Sequence, residues 1–226
     1  CLALLVDLMT GPATLGAREI LSAVLFPEQS PAADRIIVWT FRMTTALMAA
    51  VVGASLGVAG AQMQTVLNNP LASPFTLGVS AAAGFGAALA MVWGAAVMPW
   101  GGPFLVPASA FAFAVLSSLA VYAIARWRSA STEGIILGGV ALLFLFNAGV
   151  AFLQYVASED QMAAIVFWLF GSLQAATWPK LGVVFAALAV SLVLLGARSW
   201  QLTALRLGDD RARSMGIDVG RLRLQT

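Results

Sequence analysis

The chain has 226 residues, 61% of them hydrophobic and 10% charged, with 12 Lys and Arg against 10 Asp and Glu. Soluble domains average about 25% charged residues, and the mean hydropathy here is +0.92, so the composition is that of an integral membrane protein. With no His and one cysteine, Cys1, there is no internal disulfide, no His-ligated metal centre and no Ser-His-Asp or Cys-His catalysis.

In chain order, CLALLVDLMT reads as the last half of a spanning helix, and the whole chain as an internal fragment of a longer protein. A lipidated Cys1 is the alternative, disfavoured by the spans that follow. Thr10–Asp34 is polar, holds Arg18, Glu19 and Glu28, and is followed by Arg35. Within it Ala17–Leu25 is predicted as a short helix lying along the interface. Ile36–Leu67 is predicted as one long helix. At ~1.5 Å per residue it reaches about 48 Å against a hydrocarbon core of about 30 Å, so it tilts or protrudes and Arg42 sits outside the lipid. Gly53, Gly57 and Ala61 fall at i, i+4, i+8, a small-residue stripe that admits a close neighbour, with Gly60 beside it.

Gln62–Gly86 carries no charge and has Asn68, Asn69, Pro70 and Pro74 at its middle. Each proline lacks an N–H and keeps the preceding residue from helical geometry. Two apolar helices therefore meet at a kinked, polar turn, tolerated in lipid only if buried in protein or lining a watery cavity. The plain alternative is an ordinary inter-helix loop. Leu77–Met98 is the next helix, with a second small stripe at Gly78, Ala82 and Gly86. Gly84-Phe85-Gly86 lacks the third glycine and the βαβ setting of a dinucleotide fingerprint.

Pro99–Pro107 is an uncharged turn, and Ala108–Ala125 spans and ends at Arg126-Trp127-Arg128. Ser131 and Thr132 are cap candidates for a helix over Ile135–Val156, with Glu133 in its first turn. Met162–Phe170 is too short to span and reads as interfacial or re-entrant, ended by Gly171. Leu181–Ala197 spans again. Leu202–Arg223 is densely charged, with Arg206, Asp209, Asp210, Arg211, Arg213, Asp218, Arg221 and Arg223. Asp209 or Asp210 is the predicted cap of a short helix stopped by Gly216. The segment is either a solvated loop or a helix that docks on a soluble partner.

Residues 1–226 thus read as one all-α, polytopic transmembrane helix bundle, with 202–223 as a cytoplasmic segment. Arg126, Arg128, Arg198, Arg206, Arg211, Arg213, Arg221 and Arg223 mark the cytoplasmic side, against Arg18, Arg35, Arg42 and Lys180 outside. Alternation then puts the Asn68–Pro74 turn inside as well. No P-loop motif is present. No carboxylate pair lies within a span, as an ion-driven carrier normally needs. A pump driven by a separate ATPase fits better.

Gly53-x-x-x-Gly57-x-x-Gly60-x-x-x-Gln64 followed by Asn69-Pro70-Leu71-Ala72-x-Pro74-x-x-Leu77-Gly78-Val79 resembles the signature of FecCD-type permeases, the membrane subunits of ABC importers for iron–siderophore complexes, haem and vitamin B12. Leu207-Gly208-x-x-x-Ala212-x-x-x-Gly216, Ile136-Leu137-x-Gly139-Val140-Ala141-Leu142 and Trp168-x-x-Gly171-Ser172 are similar to further family segments, in the same order. The resemblance implies a ten-helix subunit in the bacterial inner membrane, of which about six spans are present. It would pair with a second copy, two cytoplasmic ATPase subunits and a periplasmic binding protein, with ATP and Mg on the ATPase, no cofactor or metal on this chain and no nucleic acid.

Residue by residue, the resemblance implies that Leu207, Gly208, Asp209, Asp210, Arg211, Ala212, Arg213 and Gly216 couple to the ATPase. Asn69 and Leu71, with Thr132 and Glu133, would narrow the cytoplasmic exit; for Asn69 a helix C-cap is the other reading. Arg42 matches the first Arg of the family's R-x-P-R, which holds acidic residues of the binding protein. Met43, Thr44 and Thr45 follow it, so the Pro and second Arg are absent. Arg35 is the candidate substitute, and a snorkelling anchor is the other reading of Arg42. Gly53, Gly57, Gly78 and Gly86 would serve helix packing.

The leading expectation is an ATP-driven importer permease working by alternating access. Iron chelates are the expected cargo because they are the family's commonest, with haem or cobalamin as alternatives. From other classes come an ATPase-independent channel or ion-coupled carrier, and a membrane enzyme or scaffold. The enzyme is disfavoured by the lack of His, Cys or a carboxylate pair in any span.

Overall fold

A computed structural model describes residues 15–97, 102–127 and 132–225. Every regular element among them is helical. In order these are α1 (Ala17–Leu25), α2 (Ala32–Ile36), a π-helical turn (Ile37–Arg42) and α3 (Met43–Val66). α4 (Val79–Val97), a 3₁₀ turn (Gly102–Phe104), α5 (Leu105–Trp127), α6 (Thr132–Val156) and α7 (Glu159–Phe170) follow. Then come α8 (Trp178–Gly196), α9 (Ser199–Leu205), α10 (Asp209–Ser214) and α11 (Val219–Gln225). Ala32–Val66, Leu105–Arg126, Glu133–Val156 and Trp178–Gly196 are long and apolar enough to cross a bilayer, and Val79–Gly94 is a shorter apolar helix. The expected all-α transmembrane bundle is therefore found. The partial span expected at Cys1–Thr10 lies outside the described residues, as do Pro99, Arg128 and Ser131.

Several boundaries differ from expectation, three of them for local reasons; α6 and α8 also begin three residues earlier, at Thr132 and Trp178. The long helix is not uniform: the Met43 N–H reaches back five residues to the Val38 carbonyl, the spacing of a π turn. The Thr44 hydroxyl donates to the carbonyls of Thr40 (2.7 Å) and Phe41 (3.1 Å) at the same junction. α5 starts at Leu105 and takes in Pro107, because the first turn of a helix has no intrahelical use for the missing N–H. α7 starts at Glu159 rather than Met162. Ser158 caps it, its hydroxyl accepting from the Gln161 N–H (3.4 Å) while Gln161 Oε1 accepts from the Ser158 N–H (3.0 Å).

The chain divides into two compact units. The first, 1–58 with 172–197, has a core of Ile20, Ala23, Val38 and Ala46. Glu19 accepts the Gly16 N–H (2.7 Å) at the start of α1, and Trp39 Nε1 donates to the Ala23 carbonyl (3.0 Å). The Trp39 and Trp178 rings lie 6.3 Å apart.

The second unit, 59–171 with 198–226, is built on α4, α5 and α6. Phe85, Phe113 and Phe146 meet at centroid distances of 5.1, 5.7 and 6.4 Å. The α4–α5 crossing is close because Gly86 has no side chain. A Cβ there would fall 2.6 Å from the Ser109 carbonyl oxygen, whose own hydroxyl donates to the Gly86 carbonyl (2.6 Å). α7 lies antiparallel on α4. Gln161 Nε2 donates to Met91 and Val92 carbonyls (3.3 Å each), Ile165 packs with Ala88, and Leu169 comes 2.9 Å from where a Gly84 Cβ would sit. Gly86→Ala is expected to destabilise by about 1–3 kcal/mol through overpacking. Gly182→Ala, which meets nothing within 4 Å, is the control. Thermal unfolding in detergent separates the two.

Candidate functional site

The turn between α3 and α4 is built from hydrogen bonds that its sequence supplies locally. Asn68 is left-handed (φ 45°), the one non-glycine residue with positive φ among those described. Its N–H donates to the Thr65 carbonyl (3.3 Å) and that of Asn69 to the Gln64 carbonyl (3.1 Å), closing the end of α3. Asn tolerates this conformation because its short polar side chain bonds locally. Asn69 Oδ1 then accepts the Leu71 N–H (2.9 Å) and its carbonyl accepts the Ala72 N–H (3.1 Å), around Pro70, which has no N–H to satisfy. A second turn follows around Pro74. Ser73 N–H donates to Thr76 Oγ1 (3.1 Å), and the Thr76 hydroxyl donates to the Ser73 carbonyl (2.8 Å).

This turn is fixed to the bundle by burial and by a backbone contact. Leu67, Ala72, Leu77 and Ile135 form one core, supported by Met63, Val121, Ala125 and Ile136. Gly78 is at φ +75°, and a Cβ on it would lie 2.8 Å from the Leu143 amide nitrogen and 3.1 Å from the Gly139 carbonyl. A Cβ on Gly139 would in turn lie 2.9 Å from Leu77 Cα. The pair lets the turn rest directly on the α6 backbone. Pointing away from that core, Leu71 is 82% exposed and Phe75 59%.

The structure therefore places Asn69 and Leu71 on one braced, uncharged turn. Ile135 of that turn's core stands two residues beyond Glu133, which is exposed in the first turn of α6. Thr132 begins α6, but its side chain lies outside the described residues. Asn68, singled out in the sequence with Asn69, belongs to the same turn, and so does Phe75, which was not. An asparagine pair ending an apolar helix is a readable signal for the first; nothing local signals the second. Of the packing glycines, Gly78 and Gly86 have close neighbours, while Gly53 and Gly57 meet nothing within 4 Å.

The charged segment after α8 forms three short helices with a core of their own: Leu205, Ala212, Val219 and Leu222, with Ile217 against them. The expected aspartate cap is not the one found. Gly208 is the N-cap of α10, at φ 101°, a conformation open to glycine and not to aspartate. Gly216 does end the helix, at φ +81°, with its N–H on the Arg213 carbonyl (2.9 Å) and the Ile217 N–H on the Ala212 carbonyl (3.1 Å). Asp210, Arg211 and Arg213 are exposed, and the side chain of Asp209 lies outside the described residues. The Arg213–Asp210 pair (3.7 Å) and the Arg221–Asp218 pair (3.2 Å) are both solvent-exposed, the kind of pair that adds little stability. Leu207 and Met215 are each half exposed, whereas Ala212 is fully buried. In the first unit Arg42 is only 9% exposed, and Arg35 is exposed. No group of three or more His, Cys, Asp or Glu residues with metal-binding proximity occurs among the described residues.

Comparison with known proteins gives concordant matches. The FecCD transport family matches residues 1–226. The chain is 30% identical over 224 residues to a hemin transport system permease of Yersinia pestis, covering 99% of this chain and 67% of that protein. It is 36% identical over 193 residues to a vitamin B12 import system permease of Vibrio cholerae, covering 84% and 56%. A solved inward-facing structure of an ABC transporter assigned to the metal-chelate type superposes with a TM-score of 0.80 at 27% identity, covering 99% of this chain and 67% of that one. The chain thus spans between 56% and 67% of the length of these relatives.

Proposed function

The chain belongs to the FecCD transport family, and on that footing we propose that it is the membrane-spanning permease part of an ATP-driven importer that moves iron–siderophore complexes across a bacterial inner membrane. The carrying observation is one chain with an uncharged turn braced on its bundle, a preassembled charged helix cluster after its last span, and no P-loop. A transport path needs the first, a motor acting on the membrane part needs the second, and the 226 residues themselves hold no nucleotide-binding loop.

In this reading ATP-driven closure of two ATPase subunits moves Asp209–Gly216, and the spans of two permease copies rock between outward- and inward-open states. Asn69, Leu71, Thr132 and Glu133 narrow the inner exit. A binding protein delivers cargo outside. Its acidic residues meet Arg35 more readily than Arg42, because Arg42 is a buried residue, 9% exposed, and offers little to a soluble partner. Haem or cobalamin is the second reading of the cargo, favoured by what the Yersinia and Vibrio relatives are named for transporting. Reconstitution of the full-length permease with its ATPase and binding protein in liposomes tests the proposal. ATP-dependent uptake of an iron chelate is expected, and uptake undiminished by a hydrolysis-dead ATPase would refute it.

A further inference from the structure

Two spans of the first unit begin at one level, and a cleft opens beside them. Ala32–Val66 carries Trp39 near its start, and Trp178–Gly196 opens on Trp178. The two rings lie 6.3 Å apart. Tryptophan gathers at the headgroup level of a bilayer, so the pair marks the depth at which this part of the unit meets lipid headgroups. At that depth Pro27, Arg35, Ile36, Trp39 and Thr40 line a cleft of about 350 Å³. Arg35 and Ile36 stand one helical turn before Trp39 and Thr40, and Pro27 comes from the loop after α1. Trp39 is fixed as one wall, because its Nε1 donates to the Ala23 carbonyl (3.0 Å). Ile36 is 52% exposed, and Leu25 and Phe26, just before Pro27, are exposed as well. Arg35 is exposed, and its side chain has no hydrogen-bond or ion-pair partner among the described residues.

We propose that this cleft holds the headgroup of one phospholipid from the leaflet at which both spans begin, with its phosphate on Arg35 and its first methylenes on Ile36 and the Trp39 ring. Only the spans are needed for this; neither the cargo nor the motor of the preceding section enters it. Three features select the occupant. The depth is that of headgroups, so lipid and not bulk water is what covers the cleft. The lining joins one bare guanidinium to an aromatic and an aliphatic wall, which matches a molecule with an anionic head and an apolar body. A guanidinium also grips a phosphate bidentately, with its N–H groups in a fixed fork. The same Arg35 can still serve a binding protein. It has five N–H donors, and a bidentate phosphate takes two, which leaves others for a carboxylate from outside. The lipid then pins a long side chain in the pose that a docking partner needs, removing part of the ordering cost of that contact.

The test titrates the full-length permease, purified in mild detergent, with phosphatidylglycerol and counts bound lipid by native mass spectrometry. Arg35→Ala is expected to weaken the tightest-bound lipid by about tenfold or more, since it removes a charge-assisted pair. Arg35→Lys should fall between, because an ammonium lacks the fork. Thr40→Trp fills the cleft without removing a charge and should lose the lipid as Arg35→Ala does. Arg18→Ala removes another exposed cation of the same unit and should bind like wild type. Equal lipid affinity in wild type, Arg35→Ala and Thr40→Trp would overturn the proposal. Equal losses in Arg18→Ala and Arg35→Ala would overturn it too, by showing attraction to surface charge alone. Soluble glycerol phosphate in large excess should leave the lipid in place; displacement would mean that the cleft takes free phosphates and not a lipid. If Arg35→Ala loses binding-protein capture and keeps its lipid, Arg35 serves the binding protein alone, and the lipid assignment is wrong while the docking role stands.

Discussion

Gly78→Val is expected to be the most damaging single substitution in the second unit. Two independent costs add at this position. Its backbone is at φ +75°, where an L side chain is disfavoured by about 1–2 kcal/mol. The new Cβ would also lie 2.8 Å from the Leu143 amide nitrogen, a backbone atom that cannot swing aside. Overpacking of that kind costs about 1–3 kcal/mol. The combined loss, roughly 2–5 kcal/mol, is a large share of a typical domain's stability. Gly78→Ala should show most of the effect, because the first carbon makes both the clash and the strain. The expected result is low membrane abundance and a depressed unfolding midpoint for both variants. Normal stability for Gly78→Ala would mean that the turn does not rest on α6 as described.

Gly216→Val is expected to disconnect the ATPase without unfolding the spans. The two hydrogen bonds that end α10 require a left-handed residue at 216. Valine opposes that conformation by about 1–2 kcal/mol, which translates to roughly tenfold fewer molecules with α10 closed on its core. Asparagine, which visits the left-handed region, should restore most of the attachment. Copurification of the ATPase with each variant decides the matter, and equal attachment for Gly216→Val and wild type would contradict it.

Much of the architecture was legible in the sequence because apolar length and punctuation are local signals. Ala17–Leu25 falls where its flanking residues put it, and the stop at Gly216 follows from a glycine after a charged turn. The earlier start of α7 was also readable, since Ser158 and Gln161 have the spacing of a capping box. What escaped was whatever depends on a distant partner. Gly78 and Gly86 looked like Gly53 and Gly57, yet only the first two are pressed against another backbone. Nothing local in the sequence marks the bonds of Gln161 to Met91 and Val92, which cross about 70 positions of chain. In the candidate sites, Asn69 was read as a path residue or a cap. The structure gives the left-handed position to Asn68 and leaves Asn69 to shape the turn around Pro70.

The π turn at Ile37–Arg42 has a consequence for comparing this protein with its relatives. A residue accommodated without lengthening the rod shifts the angular phase of everything on one side of it by about 100°. Facing positions counted outward from Met43 therefore fail to predict which side chains of Ala32–Ile36 look the same way. Trimming one residue from the turn would rotate the preceding Gly16–Ile36 hairpin about the axis as a body, carrying Arg35 to a new azimuth while leaving the rest of the span in register.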